Sequence, residues 1–105
     1  MTRKELTQQE VSVALSALPE WEMKDGKLHK TFKFNSFATA IGWMVAVGIY
    51  ADELDHHPEW CNVYNRVHVD LITHDLGNVV SSWDIKLAQH METIFELPEP
   101  PFTVD

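Results

Sequence analysis

Three stretches of the chain repeat apolar residues at helical spacing, and the stretches between them alternate in the manner of strands. The first begins at Thr7-Gln-Gln-Glu10, which has the spacing of a capping box. Leu6 and Val11 stand where a hydrophobic staple closes, and Val11, Ala14, Leu15 and Leu18 share a face up to the stop at Pro19. Trp21 to Lys24 and Lys27 to Phe34 flank Asp25-Gly26. That pair between extended runs predicts a hairpin, because its tight turn needs positive φ. Leu28, Phe32 and Phe34 lie on one side of the second strand.

The second helical stretch starts at Asn35-Ser36 and runs to about Asp55. It carries two apolar stripes. Phe37, Ile41, Met44, Val45, Gly48 and Ala51 make one, and Trp43, Val47, Tyr50 and Leu54 make the other. One sheet cannot cover so wide an apolar front, so a neighbouring helix or a second subunit is expected to take the latter stripe. Further on, Val63-Tyr64 predicts a short strand and Val67 to Thr73 a longer one, with Val67, Val69 and Leu71 inward. A loop around 76–80 leads to Ser81-Ser-Trp-Asp84, which can cap a third helix buried through Leu87, Ala88, Met91, Ile94 and Phe95. The proline-rich 98–105 run predicts an extended tail. The expected class is α+β in the order α-β-β-α-β-β-α. Residues 1–105 form a single domain, with a mostly antiparallel four-stranded sheet covered by three helices.

Charge and composition narrow the partners. A net charge of −8 disfavours a nucleic-acid backbone or an anionic membrane surface. The single cysteine, Cys61, sits between Trp60 and Asn62, cannot form an internal disulfide and reads as a half-buried strand residue, which suits a reducing compartment. The opening Met-Thr-Arg-Lys-Glu run lacks an apolar h-region, and no stretch is expected to span a membrane. A soluble cytoplasmic protein is the expectation.

Candidate chemistry concentrates in residues 55–75, which hold four of the six histidines. Histidine titrates near neutral pH and is the commonest acid–base group. Pro58 forces His57 out of helical geometry, so the long helix should end near His56. Asp52, Glu53 and Asp55 crowd that end, where the helix dipole disfavours acids, and they should favour charged imidazoles. The plainer alternative is a solvated helix terminus. His74 falls where the last strand enters its loop, Asp75 follows, and Asp84 lies beyond at capping-box distance from Ser81. His68 reads as a surface or pairing residue, and His29 and His90 as incidental. A zinc site could draw on His56, His57 and His74, but adjacent histidines seldom face one metal and no HExxH or CxxC is present.

The run from Ala51 through Asp55-His-His-Pro-Glu-Trp-Cys-Asn-Val-Tyr-Asn to Val67, then Leu71-Ile-Thr-His-Asp, then Ser81-Ser-Trp-Asp84-Ile-Lys-Leu-Ala88, resembles the pterin-4a-carbinolamine dehydratases. The similarity extends over nearly the whole chain. It implies loss of water from a 4a-hydroxytetrahydropterin to give the quinonoid dihydropterin, in recycling of the cofactor of aromatic amino acid hydroxylases. It also implies a homodimer or homotetramer with no metal or organic cofactor. By the same resemblance, His56, His57, His74 and Asp84 are catalytic, and Asp55 to His57 and Thr73 to Asp75 contact the pterin. Trp60 could wall it or belong to the core. The 76–80 loop lacks a Gly-Leu-Thr pattern common in the family, and Trp83 stands where a basic or polar residue is expected. Animal relatives also pair with a homeodomain transcription factor, and some bacterial relatives with degenerate sites chaperone Rubisco assembly. A non-catalytic binding or regulatory protein of the same fold is therefore the alternative.

Overall fold

In the computed structural model, residues 4–97 are described, and residues 98–105, expected as a tail, lie outside them. The order is α1 (Gln8–Ser16), β1 (Glu22–Lys24), β2 (Lys27–Lys33), α2 (Phe37–Leu54), β3 (Glu59–Val63), β4 (Arg66–Leu71), a short 3-10 turn (His74–Leu76) and α3 (Ser82–Phe95). The expected α-β-β-α-β-β-α order is thus present. The sheet is entirely antiparallel, in the order β1-β2-β4-β3.

Local chemistry explains the boundaries. The Thr7 hydroxyl accepts from the Glu10 N–H at 3.1 Å, and the Glu10 carboxylate accepts from the Thr7 N–H at 3.0 Å. The helix closes at Ser16, ahead of Pro19. Asp25 and Gly26 both take positive φ, 53° and 78°, as the tight hairpin requires. The Ser36 hydroxyl accepts from the Thr39 N–H and opens α2.

Alternate strand residues point into the core. Leu28 and Phe32 of β2 and Val67, Val69 and Leu71 of β4 are fully buried. Helix α3 adds Leu87, Ala88 and Met91, and the Phe32 ring lies 4.4 Å from Trp43. Lys30 shares this inward face. Its ammonium donates to Glu92 at 2.5 Å and lies 4.3 Å from the centroid of the Phe32 ring, while Trp21 Nε1 donates to the same carboxylate. The opposite face of the sheet is polar and holds His29 against Asp70 and His68 against Thr31. The pairing role expected of His68 is present. His90 is less incidental than expected, stacking on Tyr50 with ring centroids 3.5 Å apart.

Five expectations need correction. Trp43 and Val47 of α2 turn inward, joined by Ala40 and Ala51, and Trp43 and Tyr50 meet Met91 and His90 of α3. A neighbouring helix thus covers this stripe, as one of the two alternatives expected, and among the described residues it is the other stripe that lacks its cover. The stripe left outside is Phe37, Ile41 and Val45, extended by Ile49. Strand β3 starts at Glu59, earlier than Val63, because pairing with β4 continues from Val63↔Arg66 to Glu59↔Asp70. Cys61 is exposed, since it points to the open polar face while Trp60 turns in toward Trp43 at 6.0 Å. Phe95 is exposed at the helix end. Finally, α2 is long and apolar enough to cross a membrane, with 18 residues and a mean hydropathy of 1.2. Its inner stripe packs into the core, and the exposed Phe37, Ile41, Val45 and Ile49 add to that hydropathy.

Candidate active site

The end of α2 is built by a Schellman motif. Asp55 takes the left-handed conformation at φ 54°, its N–H reaches the Asp52 carbonyl at 3.2 Å, and the His56 N–H reaches the Ala51 carbonyl at 3.1 Å. Aspartate tolerates this conformation better than most residues because its short polar side chain bonds locally. The motif turns the chain so that His56 points inward while His57 stays exposed. Pro58 follows and the chain enters β3.

His56 is buried, and its Nε2 lies 2.5 Å from Asp84 Oδ1. An ionised carboxylate only accepts, so Nε2 carries the proton and Nδ1 remains for proton exchange. Asp84 is itself fully buried at the first turn of α3. Its second oxygen accepts from the Thr73 hydroxyl at 2.8 Å and from the Ser81 N–H at 2.8 Å, and Thr73 Oγ1 meets Ser81 Oγ at 2.6 Å. The capping box is therefore present, and the same aspartate holds an imidazole. Three bonds compensate a carboxylate that would otherwise be costly to bury.

His74 lies beyond the end of β4, exposed in the 3-10 turn. Its Nε2 is 3.1 Å from Glu59 Oε2, and its Nδ1 is 2.6 Å from the amide oxygen Oδ1 of Asn78. Glu59 also receives the Lys27 ammonium at 2.5 Å. That bond holds the Glu59 carboxyl below its ordinary range, with the His74 contact adding to it, and raises Lys27 in turn. Neither Glu59 nor Lys27 stood among the candidates. The only signal was the acid's place after His-His-Pro, and its two partners come from two other elements.

Asp55, His56, His57, Thr73, His74 and Asp75 line one cleft of about 230 Å³, floored by Ile72. Asp84 stands behind His56 rather than in the cleft. Trp60 packs toward the core, and Trp83 lies under the Lys86 ammonium at 4.6 Å. Two larger grooves flank α1, but neither is lined by a histidine. Among the described residues no three metal-ligating side chains gather. The cleft thus offers two imidazoles, each backed by a carboxylate, and a third beside them. Such a set can give and take protons at neighbouring positions on one small ligand.

Fold and cleft together define a small α+β protein with one cleft lined by histidines and carboxylates. The chain belongs to the pterin 4 alpha carbinolamine dehydratase family, which it matches over residues 4–94. A Brucella ovis protein named "Putative pterin-4-alpha-carbinolamine dehydratase" is 48% identical over 96 residues, covering 90% of this chain and 98% of its own. A Brucella canis protein of the same name matches equally. A crystal structure described as a transcriptional coactivator/pterin dehydratase from Brucella melitensis superposes with a TM-score of 0.82 at 47% identity, covering 87% of this chain and 98% of its own.

Proposed function

We propose that the chain is a 4a-hydroxytetrahydropterin dehydratase, a hydro-lyase whose residues His56, His57 and His74 move the protons. The observation that carries this reading is the cleft itself. It joins a buried His56–Asp84 pair to His57 and His74 on a chain of the pterin dehydratase family. In the reaction the C4a–O bond breaks and the oxygen leaves as water after receiving a proton. A ring N–H gives up its proton, and the nitrogen pair forms the new C=N bond of the quinonoid dihydropterin. His56 or His57 serves as the acid–base pair at the hydroxyl and ring, with His74 as the partner that orients or protonates. Asp84 acts through His56, and Asp55, Thr73 and Asp75 contact the pterin. The chemistry calls for no cofactor. The reading extends to a cytoplasmic enzyme working beside an aromatic amino acid hydroxylase.

The protein should assemble as a homodimer or homotetramer. Phe37, Ile41, Val45 and Ile49 form an exposed ridge at successive four-residue steps along α2, and β3 is an edge strand of the sheet. The same ridge supports a second reading, a regulatory protein that docks a partner, in line with the coactivator wording given to the Brucella melitensis relative.

Dehydration of 4a-hydroxytetrahydropterin, generated in situ by a hydroxylase, tests the first reading against His56→Ala, His57→Ala and His74→Ala. Loss of general acid–base help should cost about 10²–10⁴-fold in rate. A folded wild type without activity would leave the regulatory reading standing.

A further inference from the structure

We propose that Glu59, clamped by Lys27, is a positioning residue that holds the His74 ring in one tautomer and one orientation at the cleft. This inference rests on the dehydratase reading for its catalytic meaning, but its geometry stands alone. Glu59 begins β3 and Lys27 begins β2, so their bond spans β4, which runs between them. The Glu59 carboxylate is thereby tied at one oxygen to a donor that cannot accept, leaving the other oxygen for His74 Nε2. Two oxygens face the ring, Glu59 Oε2 and Asn78 Oδ1, and the carboxylate is the stronger acceptor, so the single proton of a neutral ring goes to Nε2 and leaves Nδ1 for exchange with a ligand. Asn78, itself left-handed at φ 62°, places Oδ1 2.6 Å from Nδ1, so beside an Nε2–H ring its amide must turn to offer the NH2 group there until a ligand's polar atom takes that place.

A rival explanation is purely structural. Glu59 lies directly across from Asp70 in the β3–β4 register, and like charges in that position repel. Lys27 on Glu59 and His29 on Asp70 would relieve that repulsion without regard to catalysis. The two explanations differ in what happens to the ring. In Glu59→Gln the amide oxygen stays with Lys27, and the NH2 group turns toward His74 Nε2. That nitrogen must then accept, so the proton moves to Nδ1.

The experiment is 15N NMR of the His74 ring nitrogens in the whole protein at about pH 8, with dehydration kinetics on the same samples. The wild type should show the Nε2–H form. Glu59→Gln should shift it to Nδ1–H and lower kcat by roughly tenfold to a hundredfold, the scale of a misplaced catalytic group, with KM little changed. Lys27→Met should loosen the preference, and Lys27→Arg should restore it. An unchanged tautomer in Glu59→Gln overturns the proposal, and so does a changed tautomer with an unchanged rate. If the wild type dehydrates no pterin, the dehydratase reading falls, and the NMR arm alone still decides whether Glu59 positions the ring.

Discussion

The cleft is built from two histidine–carboxylate pairs that differ in almost every physical respect. His56 and Asp84 have side chains only 7% and 0% exposed and meet at 2.5 Å, with Thr73 and Ser81 completing the shell of the acid. His74 and Glu59 are 63% and 39% exposed and meet at 3.1 Å, with Lys27 as the anchor. In the buried pair little solvent competes, so the shell fixes both tautomer and position and any lost bond is felt throughout. In the exposed pair water can replace each contact, so its worth lies in orientation and hardly in stability. One site thus pairs an imidazole fixed by burial with one oriented by contacts that water can reach.

Three variants would sharpen or break this contrast. The largest effect is expected for Asp84→Asn. An amide cannot serve His56, Thr73 and Ser81 as the carboxylate does, and breaking a buried pair costs about 3–5 kcal/mol. Activity should fall a hundredfold or more, as when a triad histidine loses its aspartate. Urea unfolding and kcat/KM on one preparation check both. If stability and rate are near wild type, the buried pair is not what organises His56.

Thr73→Val should come next. It removes the hydroxyl donor to Asp84 Oδ2 and leaves the Ser81 hydroxyl proton without its acceptor, at a cost of about 1–3 kcal/mol. The Tm should drop accordingly, whereas an unaltered Tm would mean that Thr73 only lines the cleft.

The smallest effect is expected from acid on the exposed pair. Lys27, and after it His74, hold the folded Glu59 carboxyl below its ordinary value near 4.5. A lowered folded pKa contributes stability that is present above the unfolded value and lost as pH falls through the folded one. A Glu59→Gln protein should therefore be slightly less stable than wild type near neutrality, and the gap should close below about pH 4.5. Melting curves across that range would show it, and a gap that persists in acid would assign the loss to something other than the ion pair. The half-buried ring of His90 gives the contrasting case. Burial lowers its pKa from 6.5, so acid should erode stability as pH falls below that value.

Much of the scaffold was readable where a short run determines its own geometry. Thr7 and Glu10, Asp25-Gly26, Ser36, and Ser81 with Asp84 each act over a few residues, and each stands in the structure as its spacing predicts. The inward alternation of Val67, Val69 and Leu71 was equally plain, since a one-residue slip would expose all three. The candidate site was half readable. The His-His-Pro stretch and His74 stood out by composition, and the cleft does bring Asp55, His56, His57, Thr73, His74 and Asp75 together.

What remained hidden depends on contacts distant along the chain. Two apolar stripes on α2 look alike in the sequence, and only packing on the sheet decides that Trp43 and Val47 go in while Phe37, Ile41 and Val45 stay out. The capping aspartate of α3 becomes the partner of His56 because the Schellman turn at Asp55 delivers that ring to the start of a helix that begins 26 residues later, at Ser82. Glu59 meets both Lys27 and His74 because three strand ends fall at one end of the sheet. The sequence by itself determined the elements, their caps and the residues able to carry protons, since these follow from steric and hydrogen-bonding rules between near neighbours. Only the tertiary structure decided which histidine is buried, which acid each one meets and which face is left for a partner. Those outcomes are set by burial and by distances that no local spacing contains.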